Sequence, residues 1–72
     1  MNAKLCHRKV RRAMLDKEIK QEVLAENLGI SVRHVRNICY RDMDVGVSLC
    51  YNLSTVFGVT MESLLVVEEE DE

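Results

Sequence analysis

The sequence predicts an all-α, compact domain of five short helices. Three observations carry this expectation. Apolar residues recur at helical spacing in five successive stretches, proline is absent, and the three glycines (Gly29, Gly46 and Gly58) are widely spaced, as at tight joints between short helices. The chain of 72 residues is one small domain. A chain of this size buries only ~60% of its unfolded surface, which leaves little room for an enclosed active site. Its apolar content, 47%, is that of a globular chain and not of a disordered one.

The first helix is expected from about Ala3 to Lys17, with Cys6, Val10, Ala13 and Met14 on its inner face and Arg8, Arg11 and Arg12 off it. The second runs from Gln21 to Leu28, burying Leu24, Ala25 and Leu28 while Glu22 and Glu26 stay in solvent. Gly29 follows at once, where a helix C-terminus needs a left-handed residue. Ser31 caps a third helix reaching about Tyr40, because its hydroxyl can accept from the free amides of the next turn. Val35 and Ile38 face the core from that helix, and residues 41–46 read as a polar joint. The fourth helix spans about Val47 to Phe57, with Leu49, Cys50, Leu53, Val56 and Phe57 inside and Gly58 ending it. Thr60 caps a short fifth helix, Glu62 sits at the positive end of its dipole, and Leu64 and Leu65 close the core. The domain is expected to occupy residues 1–67. Glu68-Glu69-Glu70-Asp71-Glu72 is expected to be a disordered acidic tail, since like charges repel and nothing apolar offsets the cost of ordering them.

The net charge of −2 conceals a strong polarity. Residues 1–41 carry all ten Lys and Arg and only four acids, a charge of +6. Residues 42–72 carry eight acids and no Lys or Arg, a charge of −8. Phosphate attraction follows the local field and not the net charge, so the basic half is suited to face double-stranded DNA and the acidic half to face away. Cys6, Cys39 and Cys50 are odd in number and lack Cys-x-x-Cys spacing. The N-terminus does not read as a signal peptide and no apolar run is long enough to span a bilayer, so a reduced cytoplasmic setting without membrane attachment is expected. Cys39 and Cys50 then read as buried small hydrophobes.

The most informative segment is Gln21 to Ile38. Two short helices joined by Gly29-Ile30-Ser31 must pack at a steep angle, with Ala25 permitting close approach and Ile30 plugging the joint. That arrangement exposes the first turn of the third helix, which can enter a major groove ~12 Å wide. With Val35 and Ile38 inward, Val32, Arg33, Arg36 and Asn37 are the base-reading candidates. Arg can bond guanine on O6 and N7, Asn can bond adenine on two atoms, and Val can rest on a thymine methyl. Lys20, Gln21, Ser31, His34 and Arg41 are the phosphate-contacting candidates, with the Arg8–Arg12 run as a possible extension. Catalysis has little support. His7 adjoins Cys6, but neighbours in a helix point apart, and no further His or acid completes a triad or a metal shell. No enzyme activity, cofactor or metal is expected. Two Tyr and one Phe make no base-stacking platform for single strands.

Ile19-Lys20-Gln21-Glu22-Val23-Leu24-Ala25 followed by Gly29-Ile30-Ser31, the buried pair Val35 and Ile38, then Phe57-Gly58-Val59-Thr60 and Leu64-Leu65 resemble the Cro/phage-repressor (Xre-type) helix-turn-helix family. The resemblance runs without a gap from Val10 to Leu65. It implies a five-helix, lambda-repressor-like domain with the helix-turn-helix in helices 2 and 3, acting as a sequence-specific transcriptional regulator, in particular a repressor. Departures from the pattern are Lys20 for a Ser or Thr cap, Cys39 for a frequent Glu, Arg41 for a frequent Gly, Val45 for a common Pro and Met14 for a common Arg. Two recognition helices one DNA turn apart read a palindrome, so a homodimer on a palindromic operator is expected, with the apolar run Leu64-Leu65-Val66-Val67 as a possible part of its interface. The alternative is a protein-interaction module of the same fold, antitoxin- or anti-repressor-like, that binds a protein partner and does not read DNA. The overall acidity favours that alternative and the clustered positive charge opposes it.

Overall fold

A computed structural model of the protein describes residues 2–66. The elements in order are β1 (Asn2–Leu5), α1 (His7–Lys17), α2 (Gln21–Leu28), α3 (Val32–Tyr40), β2 (Met43–Gly46), α4 (Val47–Phe57) and a single 3-10 turn, Met61–Leu64. Val67 and the acidic stretch 68–72 lie outside the described residues.

The three central helices begin and end close to where the sequence puts them. The C-termini of α1, α2 and α4 share one device, whereas α3 ends at Arg41 in extended backbone. The chain turns left-handed at Glu18, Gly29 and Gly58, with φ of 55°, 70° and 70°. In each case two amides return to the last turn: Glu18 and Ile19 donate to Leu15 and Met14, Gly29 and Ile30 to Glu26 and Ala25, Gly58 and Val59 to Thr55 and Ser54. These are Schellman ends, which satisfy carbonyls that a helix terminus otherwise leaves unpaired.

Two expectations are corrected. The first helix starts at His7, because residues 2–5 form β1, antiparallel to β2 with Asn2 opposite Gly46 and Leu5 opposite Met43. Ala, Lys and Leu favour a helix locally, but extended pairing brings Leu5 and Val45 into the core, and tertiary burial overrides that preference. Cys6 therefore sits at the N-terminal boundary of α1, half-buried, and residues 43–46 of the polar joint are a strand. The fifth helix is reduced to the 3-10 turn. Thr60 supplies no side-chain cap, and Leu65 returns at once to extended backbone opposite Leu5. The Cys6 amide donates to the Leu64 carbonyl and the Val66 amide to the Lys4 carbonyl, each at 2.9 Å, so β1 is flanked on both edges.

The core joins every element. Leu5, Val10, Leu24, Val35, Ile38, Leu53, Phe57 and Leu64 are buried together with Cys39 and Cys50. Leu28, Leu49, Val56 and Leu65, expected inside, are half-buried and pack against this cluster. Burial raises the pKa of both the Cys39 and the Cys50 thiols, in keeping with their reading as small apolar side chains.

Candidate nucleic-acid interface

The joint between α2 and α3 is three residues long. Gly29 reverses the chain at the end of α2, Ile30 packs against the core, and Ser31 starts α3. The Ser31 hydroxyl accepts from the His34 amide at 3.0 Å, a side-chain cap worth ~1 kcal/mol. From beneath, Val35 and Ile38 are fully buried, each contributing ~1.5–3 kcal/mol by the usual area scaling. The orientation of α3 is thus fixed by packing at its back and by a cap at its start.

That orientation leaves Arg33 and Arg36 exposed on the side opposite the buried stripe. Asn37 and His34 flank them and are half-buried. Val32 is half-buried and packs against the core, so only part of its surface is open. Ser31, Lys20 and Arg41 are exposed and Gln21 is half-buried at the first position of α2. Lys20 gives α2 no side-chain cap, which leaves the first amides of that helix unclaimed by side chains. Arg41 stands at the C-terminal boundary of α3, with its amide bonded to the Asn37 carbonyl at 3.2 Å.

Three contacts near this surface were not readable from the sequence. The Arg11 guanidinium lies 5.7 Å from the centroid of the Tyr40 ring, within cation–π range. Tyr40 is exposed and falls seven residues after Arg33, close to two full helical turns, so it extends the exposed stripe of α3. Second, Asp42, just past α3, accepts from the His7 amide at 2.9 Å and from the His7 Nδ1–H at 2.6 Å. An ionised carboxylate only accepts, which makes Nδ1 the donor. The His7 amide, with the His7 ring second, holds the Asp42 carboxyl below its usual pKa, and the carboxylate sits at the positive end of α1. This pair ties the exit of α3 to the start of α1 across 35 residues of sequence, and no local signal announces it.

Third, a groove of about 850 Å³ runs between α1 and the start of α2. Arg8, Arg11 and Arg12 line it with Lys20 and Gln21, while Met14, Leu15, Ile19 and Cys39 supply its apolar surface. Basic side chains of α1 therefore adjoin the α2 N-terminus. Among the described residues no group of His, Cys, Asp or Glu is arranged to hold a metal, and no helix is long and apolar enough to cross a membrane.

Comparison with known proteins gives one match. A family model described as helix-turn-helix covers residues 10–64, from α1 through the 3-10 turn. Neither a curated protein nor a solved structure matches the chain. The match takes in roughly three quarters of the sequence and includes the α2–turn–α3 unit, its buried residues and its closing Leu64. The chain belongs to the Cro/C1-type helix-turn-helix family, a family of DNA-binding domains.

Proposed function

We propose that this protein is a sequence-specific regulator of transcription, a repressor, that lays α3 in the major groove of double-stranded DNA. The observation that carries the reading is the exposed pair Arg33 and Arg36 on a helix whose back is buried and whose start is capped. In this reading Arg33, Arg36 and Asn37 bond base edges, and the open part of Val32 meets a thymine methyl. Lys20, Gln21, Ser31, His34 and Arg41 fix the register on phosphates, the α2 N-terminus adding its free amides. Two copies on a palindromic operator bring two such helices to successive turns of one DNA face.

Salt dependence of duplex binding tests this reading against a protein-interaction module. A DNA reader releases counterions, so its affinity falls steeply between about 50 and about 200 mM salt, by ~10³-fold or more for six phosphate contacts. A flat profile, or no binding to any duplex by the folded protein, removes the proposal.

A further inference from the structure

Arg8 and Arg12 of α1 line two grooves. One is the groove that also holds Lys20 and Gln21. The other, about 390 Å³, lies on the opposite flank of α1, with Arg8, Lys9, Arg12 and Lys17 around an apolar floor that includes Ala13 and Leu64. Among the described residues its one carboxylate is Asp16, 3.9 Å from the Arg12 guanidinium. Four cations thus face one acid. The chain leaves the described region beside this second groove. Ser63 and Leu64 form part of its wall, the Lys9 ammonium donates to the Leu65 carbonyl at 2.9 Å, and the Val66 amide is held on the Lys4 carbonyl.

The next six residues are Val67-Glu68-Glu69-Glu70-Asp71-Glu72, with five negative charges. Extended, six residues reach about 20 Å, and the 11-residue α1 is about 16 Å long, so the segment can cover the length of the basic groove. Tethered at Leu65, it is present there at an effective concentration in the millimolar range. We infer that Glu68–Glu72 occupies the groove on α1 and takes Arg8 and Arg12 as its counter-charges. The contact is an ion-pair network and requires no single conformation of the segment. Because Arg8 and Arg12 also border the groove beside Lys20 and Gln21, the occupied groove withdraws two cations from phosphate. The segment is then a built-in competitor that lowers non-specific affinity. This consequence for DNA rests on the function proposed above; the contact itself does not.

The test uses the full chain and a charge-neutral version, E68Q/E69Q/E70Q/D71N/E72Q, each with and without Arg8→Gln/Arg12→Gln. Arg8 and Arg12 are exposed, and the amide spectrum verifies that each variant is folded. In the DNA-free protein, neutralising the segment is expected to shift the side-chain Nε–H resonances of Arg8 and Arg12 and leave those of Arg33 and Arg36 in place. No shift at Arg8 and Arg12, or equal shifts at all four, overturns the contact whatever the protein does with DNA. On random-sequence duplex at about 50 mM salt, neutralisation is expected to raise affinity about five-fold, shrinking to under about two-fold at 500 mM. In the Arg8→Gln/Arg12→Gln background the gain is expected to fall below about two-fold at either salt. A gain that persists in full there is a net-charge effect and overturns the competition. If the contact resonances move but no variant binds duplex, the contact stands and the DNA reading fails.

Discussion

At Glu18 the backbone is left-handed, φ 55°, in the position that Gly29 and Gly58 fill at the other two helix ends. A residue with a Cβ spends ~1–2 kcal/mol there, partly offset by the larger folding entropy that glycine loses. Glu18→Gly is therefore expected to stabilise the fold by about 0.5–1 kcal/mol, raising Tm by several degrees in a thermal melt. A drop in Tm would show that the Glu18 side chain contributes more than the turn costs. Asp42 makes a second residue-scale prediction. Its folded pKa is lowered, so its contribution to stability is complete above the unfolded value near ~3.9 and is lost as pH falls through the folded value. Asp42→Asn keeps an acceptor for the His7 amide but removes the charge. Urea midpoints of the variant should lie below wild type at neutral pH and converge with it in acid; parallel curves would exclude the charge as the cause. Neither residue was readable as special beforehand. Glu18 ends its helix where no glycine marks the place, and Asp42 meets a partner 35 positions away.

At the scale of elements, the sequence marked α2, α3 and α4 well, because each carries an inward apolar stripe and two end on glycine. It failed at β1 and at the fifth helix. Asn2–Leu5 is too short for periodicity to distinguish strand from helix, and its extended form depends on β2 and Leu65, which are distant in sequence. Two departures from the family pattern that look separate in the sequence turn out to be one feature. Met14 on α1 replaces a common Arg and Cys39 on α3 replaces a frequent Glu. The Cys39 thiol lies 3.4 Å from the Met14 sulfur, in the core. The two positions are thus filled by two soft apolar groups in contact, and such a pair is often as stable in a core as an ion pair of similar volume. One charge introduced alone at either position is buried against an apolar neighbour. Cys39→Glu is expected to cost about 3 kcal/mol, and adding Met14→Arg to recover at least about 1 kcal/mol of that in a double-mutant cycle read by denaturant unfolding. Strict additivity of the two substitutions would contradict a direct pairing of positions 14 and 39.

At the scale of the whole molecule, the charge split along the chain was the most telling property of the sequence. Its +6 half, residues 1–41, supplies α1, α2 and α3 and contains every residue proposed to contact DNA, and its −8 half supplies β2, α4 and the segment beyond. The candidate reading surface was legible because burial of Val35 and Ile38 forces Arg33 and Arg36 outward. Its surroundings were not legible: the Arg11–Tyr40 stack and the groove beside Lys20 arise where α1 crosses α2 and α3. Such crossings are set by the summed packing of the core and leave no local mark on the sequence. The central claim is that the exposed face of α3 reads bases. It is tested most directly by selecting binding sites from a random duplex pool at moderate salt, with wild type and Arg33→Ala/Arg36→Ala in parallel. The wild type is expected to enrich one palindromic motif. The variant, which lacks two base contacts worth ~1–3 kcal/mol each, is expected to stay folded and enrich none. Enrichment of the same motif by both proteins, or of nothing by either while both are folded, would contradict the assignment of base reading to this face.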